Sequence, residues 1–587
     1  MQKLNQTFKI NPLYEADGYK VGHQKMLAPG TTKLYGTWIP RSLKYMPKGI
    51  DKIMSAGQQL VVRYLHSTFQ ENFFDKDSNA AIQFANDMSA YLGMDYDGSH
   101  FLDLYQLGYL PIRVKSLPEG IFTKPNIPHM TFVNTVDGYA WLTLFLETYI
   151  SKLAWQMPTV ATIGHKFKEN AKAWVNYTDK ENLWLADFMC HDFHSRGGNP
   201  FTSIACGLGF ALSNKGSDTL NIIPASRYYY DESEDSMPVF SVNASEHSVS
   251  TTKIFTVGEQ QMIADWLKLF PTGILSIVSD TFSLWDCIEY FKELKDEIMG
   301  RDGKLVCRPD SGDPVDIICG VSSKYQDLSY FPEGEVLPEY FEEVLLEEVR
   351  ENTPHGERGV TEYENVYIVR GKLYKAKIHN ISWNRYDKQY YFIDMFEEAK
   401  ITIEELEWNP SDKGVIELLW DIFGGTVNEE GYKVLDPHIG AIYGDSINLE
   451  RQIQIYERLE AKGFAASNIV LGVGSYTMVM LTRDSAGYAA KGSWFEVKEE
   501  TNNLLLTNPP QIEYNVKSYN IYKDPVTDGG TKKSLKGLMQ VKLVDNEYVV
   551  NQECTWEQEE DSELKTIYEN GKFYNQTTLT EIRNKLN

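Results

Sequence analysis

The chain has 587 residues, 42% hydrophobic and 24% charged, with a formal net charge of −25 at pH 7. That composition is ordinary for a globular protein and long enough for roughly two or three domains, while the negative balance repels polyanions and excludes general nucleic-acid binding or adhesion to an anionic membrane. Six cysteines without a CxxC pair exclude a zinc ribbon or a disulfide framework; no signal-peptide pattern follows Met1 and no uncharged apolar run approaches a membrane span, so a cytoplasmic protein is expected.

In chain order, residues 1–174 mix extended and helical patterns: Lys33 to Ile39 reads as a strand and Tyr139 to Lys152 as a helix. From about 175 to 320, and again from about 436 to 485, short apolar runs end in Gly, Asp, Ser or Arg and give way to helical patterns, which is the rhythm of β/α units. Ile274–Val278 ends in Ser279-Asp280, Lys304–Cys307 in Arg308-Pro309-Asp310, Ile439–Tyr443 in Gly444-Asp445-Ser446, and Ile469–Leu471 in Gly472-Val473-Gly474-Ser475. After Ser446, which reads as an N-cap, Ile447, Leu449, Ile453, Tyr456 and Leu459 recur at near-helical spacing, and Gly463 stands where the helix would stop. Between 321 and 436 the sequence turns acidic and aromatic, with a hairpin predicted around Arg370-Gly371, and reads as an insertion. Polar motifs at the ends of parallel strands converge in space, so the expected core is an irregular, TIM-like β/α barrel over 175–485.

Within an acidic chain, arginines set among glycines are the telling residues for phosphate. Gly474 and Ser475, between an apolar run and the helical-looking Met478–Leu481, offer backbone N–H groups to a monophosphate, with Arg483 and Lys491 downstream as cationic partners. Arg196 and Arg308 sit in loops where a fixed guanidinium grips phosphate or carboxylate, or forms a structural ion pair. His247, after Glu246, suits a core imidazole, a metal ligand or a phosphate partner. Asp218, Asp280, Asp310, Asp313 and Asp445 stand at or near strand ends, as helix caps or as groups for ribose hydroxyls and Mg²⁺.

Taken in order, these motifs resemble those of the nicotinamide phosphoribosyltransferases. The resemblance runs from Asp17-Gly18-Tyr19-Lys20 through His191-Asp192-Phe193, Arg196-Gly197, Lys215-Gly216-Ser217-Asp218, Glu246-His247-Ser248, Ser279-Asp280, Arg308-Pro309-Asp310-Ser311-Gly312, Gly444-Asp445 and Thr482-Arg483-Asp484 to Lys523-Asp524-Pro525-Val526 and Lys532-Lys533-Ser534. It implies transfer of a phosphoribosyl group from 5-phosphoribosyl 1-diphosphate to nicotinamide, with Mg²⁺, and with ATP as an activating co-substrate that phosphorylates His247, supported by Glu246 and Asp280. It also implies a homodimer with shared sites, and an α+β outer domain built discontinuously from 1–174 and 486–587 beside the barrel.

Residue by residue, the resemblance implies that Phe193 stacks on the pyridine ring with Tyr19 of a partner subunit on the other face. Asp218 accepts from the carboxamide, and Arg308 lies near the amide oxygen and ribose. Asp310, Gly444 and Asp445 contact ribose; Arg196, His247 and Arg308 surround the diphosphate. Gly474 and Ser475 cradle the 5′-phosphate, helped by Arg483, Lys491 and Arg41, and Lys523 and Lys532 complete the substrate-binding set. The chain departs from the family pattern in the Ser475-Tyr476 pair of the glycine run, in Ala489, in His194-Ser195 and in the insertion. The alternatives are a nicotinate phosphoribosyltransferase, against which Asp218 argues, and a non-catalytic nucleotide-binding protein.

Overall fold

The computed structural model describes residues 9–352, 362–384, 388–392, 400–444, 446–505, 511–523 and 534–586. Seven short apolar segments pair in parallel: Cys190–Asp192 (β1), Gly216–Ser217 (β2), Asn243–Ala244 (β3), Thr272–Val278 (β4), Asp302–Arg308 (β5), Ile439–Tyr443 (β6) and Ile469–Val473 (β7). Their order is β2-β1-β7-β6-β5-β4-β3. A parallel bridge between Gly216 and Phe240, just ahead of β3, links the two edge strands, with Ser217 N donating to Phe240 O at 3.0 Å and Phe240 N to Lys215 O at 2.7 Å.

Period-two alternation decides what each strand presents. Along β5, Leu305 and Cys307 are fully buried in the main core, whereas Lys304, Val306 and Arg308 line an internal cavity. Helices cover the outer side. The helix after β6 spans Leu449–Ala461 and buries Leu449, Ile455, Tyr456 and Leu459. Its N-cap is Asn448, whose side chain accepts from Arg451 N, and not Ser446. Ser446 takes a left-handed φ of 53°, so it belongs to the turn, and Asn448 is the residue whose side chain reaches the free N–H groups of the first turn.

The predicted hairpin is present: Glu362–Val369 pairs with Lys372–His379 around Arg370 and Gly371, both at positive φ. Gln326–Asp327 and Lys400–Leu406 complete a four-stranded sheet, on which Pro338–Asn352 buries Phe341, Leu345 and Val349 in a separate core. The insertion nevertheless ends before the expected 436. Val415–Phe423 buries Val415, Ile416, Leu419 and Phe423 in the main core, so an amphipathic helix of the central unit had been hidden in an acidic stretch.

A second seven-stranded sheet is antiparallel and joins the two ends of the chain. Thr31–Ile39 lies between Ala489–Leu505 and Met130–Asn134, followed by Ile112–Ser116 and Lys565–Glu569. Among the described residues no helix is long and apolar enough to cross a membrane.

Candidate active site

All seven parallel strands point their C-terminal ends the same way, which brings the polar motifs together. On β1 the alternation turns Asp192 into the interior, while His191 and, just beyond the strand, Phe193 line a cavity of about 490 Å³. The two rings lie 4.7 Å apart. Phe193 N donates to Val473 O at 3.0 Å, which extends the β1–β7 pairing up to the ring-bearing residue. Gly472 on β7 makes the seat for this ring: a Cβ there would stand 2.8 Å from Phe193 Cδ2 and Cε2.

Asp218, just past β2, faces the same cavity. Its Oδ1 lies 3.0 Å from His191 Nε2 and also accepts from Ser241 Oγ. Burial pushes the carboxyl upward, but the bonds from His191 and Ser241, with the charges of His191 and Arg308, outweigh that and hold it below its ordinary value. Sequence reasoning missed His191 and Ser241 as site residues. His191 was legible, since it is two residues before Phe193 on a strand and shares its face; Ser241 comes from an irregular segment with no periodic signal.

Arg308, at the end of β5, donates from Nη2 to Ser245 O at 2.6 Å and from its backbone N to Ser279 Oγ at 3.2 Å. Burial lowers its pKa, opposed by Asp310, Asp218 and Asp280. Asp280 organises the next loop: its Oδ2 accepts from Asp310 N at 2.9 Å, Ser311 N at 2.8 Å and Ser311 Oγ at 2.6 Å. Its Oδ1 is buried without a hydrogen-bond partner. His247 opens the helix His247–Val257, with Glu246 at its N-cap; its Nε2 lies 3.9 Å from Asp280 Oδ1 and 3.7 Å from Asp310 Oδ2, and its Nδ1 3.2 Å from Thr281 Oγ1. Arg196 is 93% exposed at its side chain and lies 3.9 Å from Glu246, so it is free to meet an anion.

Gly444 and Asp310 are neighbours across β5 and β6: a Cβ at Gly444 would approach Asp310 Oδ1 to 2.8 Å. Gly474 caps a helix of one turn, Ser475–Met478, shorter than the expected run to Leu481, because the backbone leaves helical geometry and turns into Arg483–Ser485. Ser475 Oγ donates to His194 O at 2.9 Å and packs against Gly197. The hydroxyl therefore ties the β7 turn to the Arg196 loop, which leaves backbone N–H groups as the donors of that turn.

The remaining predicted residues lie apart. Arg41 Nε donates to Gly487 O at 2.8 Å, which places it against the Arg483 turn, and Lys491 pairs with Glu147. Glu147 also pairs at 3.1 Å with Lys20, next to the exposed Tyr19. Lys523 is exposed, with its backbone N bonded to Ser534 Oγ at 2.8 Å. No hydrogen bond, ion pair or ring contact among the described residues joins these side chains to Phe193, Asp218 or Arg308. Asp445 and Lys532 lie outside the described residues.

A ring slot over an ionised carboxylate, flanked by arginines and acids at parallel strand ends, suits an enzyme that handles a heteroaromatic ring and a charged sugar. The chain belongs to the nicotinate phosphoribosyltransferase (NAPRTase) family, whose model matches residues 188–334 and 402–572, and it is accordingly a pentosyltransferase. The first match spans β1 to β5 and the second takes in β6 and β7, and the gap between them falls within the insertion. The chain is 32% identical over 601 residues to the nicotinamide phosphoribosyltransferase of Acinetobacter baylyi, covering 99% of this chain and 98% of the relative. It is 24% identical to the protein of the same name from Xanthomonas campestris pv. campestris, covering 98% and 97%. Among solved structures, nicotinate-nucleotide pyrophosphorylase from Pyrococcus furiosus aligns with a TM-score of 0.47 at 14% identity, covering 100% of this chain and 97% of that one.

Proposed function

We propose that this enzyme joins nicotinamide to 5-phosphoribosyl 1-diphosphate, giving nicotinamide mononucleotide and diphosphate, as a step of NAD biosynthesis. The observation that carries the choice of base is Asp218. It stays ionised in the ring slot and takes both of its hydrogen bonds on Oδ1, so Oδ2 is left for a carboxamide N–H. A nicotinate carboxylate about 4 Å away would instead be repelled by up to about 4 kcal/mol at an effective dielectric near 20, a factor on the order of a thousand. Relatives that bear the name nicotinamide phosphoribosyltransferase support the same choice.

In this reading Phe193 stacks on the pyridine ring, with its nitrogen aimed at the ribose. The C1–O bond to diphosphate breaks as C1 gains oxocarbenium character, and the C1–N bond forms on the opposite face. Arg196, Arg308 and His247 stabilise the departing anion; Asp310, Gly444 and Asp445 hold the ribose; Gly474 and Ser475 cradle the 5′-phosphate through backbone N–H groups. No protein nucleophile is required, so catalysis is positioning plus electrostatic stabilisation. Among the described residues no group of three or more acids, histidines or cysteines forms a metal cage. Mg²⁺ carried in by diphosphate needs few protein oxygens, and Asp310 with the unpartnered Oδ1 of Asp280 are the fitting ones. When bound, the ion offsets diphosphate charge.

ATP enters the proposal through His247, whose Nε2 stands between Asp280 and Asp310, as the acceptor of a phosphoryl group that assists turnover. Tyr19, Arg41, Arg483, Lys491, Lys523 and Lys532 reach a site as the second subunit of a homodimer, which accounts for the separation of the first five from Phe193 within one chain. The parallel strands act as an irregular TIM-like barrel closed at the Gly216–Phe240 bridge, beside an outer domain from 1–174 and 486–587, in a cytoplasmic enzyme. The test is incubation of purified protein with Mg²⁺, 5-phosphoribosyl 1-diphosphate and nicotinamide. One diphosphate released per nicotinamide mononucleotide formed supports the reading; ligand binding without diphosphate release refutes it in favour of a non-catalytic binding protein.

A further inference from the structure

Two backbone carbonyls on segments that flank the base slot share one guanidinium. Arg583, on the helix Leu579–Leu586, donates from Nε to Ala211 O at 2.5 Å and from Nη2 to Pro238 O. Ala211 ends the helix Pro200–Ala211, which begins just after the Arg196-Gly197 loop. Pro238 leads into Phe240 and Ser241, which line the cavity, and Ser241 Oγ donates to Asp218 Oδ1.

The same helix holds this segment at a second point, because Thr580 N donates to Glu232 Oε1 at 2.6 Å. Between the two polar contacts, Leu579 and Ile582 are fully buried in an apolar cluster with Ala211 and Val239. Burial pulls the pKa of Arg583 down to about 10, against the charges of Glu232 and Asp187. The local ladder is short: β2 and β3 have two residues each, and Phe240 is tied to β2 by its N–H to Lys215 O and by its carbonyl to Ser217 N. So few backbone bonds leave an edge free to open locally, and the fixed fork of a guanidinium supplies the missing constraint from outside the sheet.

We propose that Arg583 is a positioning residue for the base slot: by fixing Pro238 against the end of the Pro200–Ala211 helix, it sets Ser241 on Asp218 and so orients the carboxylate that receives the base. The kinetic consequence rests on the reaction proposed above; the placement rests on the hydrogen bonds alone. A residue that only tethered its own helix would, when removed, lower stability without singling out one substrate.

The experiment compares full-length wild type with Arg583→Met, Arg583→Lys and, as a control on the exposed side of the same helix, Lys585→Met. Hydrogen exchange is followed by mass spectrometry on peptides carrying Ser217 and Phe240, beside steady-state kinetics. In Arg583→Met, exchange at Ser217 and Phe240 is expected to quicken about tenfold while Leu305, in the main core, keeps its rate. The KM for nicotinamide rises about tenfold, with kcat and the KM for 5-phosphoribosyl 1-diphosphate within about twofold of wild type. Arg583→Lys keeps the charge and one arm of the fork, so it shows about threefold effects, and it carries the same comparison where the methionine variant loses its fold. Lys585→Met matches wild type. Unchanged exchange at Phe240, full rescue by lysine, or equal rises in both KM values overturn the proposal. A wild type without turnover refutes the reaction instead, and the exchange rates then decide the placement by themselves.

Discussion

The carboxylate of Asp192 lies 2.5 Å from His194 Nδ1, and both side chains are wholly buried. The same carboxylate accepts from His194 N at 2.9 Å and from Ser217 Oγ at 2.8 Å, while His194 Nε2 faces Ser203 O at 3.2 Å. One buried acid thus ties together the residues on either side of Phe193 and the residue before Asp218. It sets the spacing between the ring and the carboxylate that receive the base.

Removing one partner of a buried, hydrogen-bonded pair strands the other, at a cost of about 3–5 kcal/mol. Asp192→Asn is expected to lose stability on that scale and to raise the KM for nicotinamide more than it lowers kcat, because it loosens the slot and leaves the diphosphate side intact. Chemical denaturation and steady-state kinetics read the two effects.

The Asp192 carboxyl is raised by burial but lowered further by His194 and Ser217, so its folded pKa is below the ordinary carboxylate value. Its contribution is therefore present above the unfolded pKa, about 3.9, and is lost as pH falls through the folded value. The stability gap between wild type and Asp192→Asn should be constant from pH 7 to about 5 and close below about pH 4. Denaturation curves across that range measure it.

Gly472 offers an indirect test of the ring slot. Gly472→Ala puts a methyl 2.8 Å from the Phe193 ring and 2.8 Å from Tyr443 O, and because that backbone cannot yield easily the ring must. A KM for nicotinamide raised about tenfold is expected, comparable to the loss of one aromatic stacking contact of about 1.4 kcal/mol. Phe193→Ala should do at least as much, and a double variant should add little.

Asp280→Asn keeps an amide oxygen on the three donors of the loop but removes the charge and sets an NH2 where the unpartnered Oδ1 stood, facing His247. A fall in kcat of about a hundredfold is expected from the lost charge beside His247 and the weaker bonds to the Asp310 loop. His247→Ala should abolish any stimulation by ATP while leaving nicotinamide binding within about threefold. Turnover with and without ATP separates the two.

Much of this site was legible because parallel strands end in polar residues, and the motifs at Phe193, Asp218, His247, Asp280, Arg308 and Gly444 stand at such ends. What was hidden had physical reasons. The Val415–Phe423 helix sits between acidic segments that mask its apolar face, and Asn448 displaced Ser446 as cap because two polar residues compete there. Ser241 meets Asp218 through a contact across 23 residues of chain that local patterns do not encode, and the Asp192–His194 pair, though only two residues apart, shows itself only once the burial of both side chains is known. Lys304 falls in no motif, and only the alternation along β5 turns it inward.

The central claim is that Asp218 makes this family member choose the amide over the acid. The direct measurement is competition: equal nicotinamide and nicotinate with 5-phosphoribosyl 1-diphosphate and Mg²⁺, both mononucleotides quantified, for wild type and Asp218→Ser. The account predicts that nicotinamide mononucleotide dominates in the wild type, by a ratio of about 10²–10³, and that Asp218→Ser erodes most of it. Nicotinate mononucleotide as the main wild-type product, or a ratio untouched by the substitution, would contradict it.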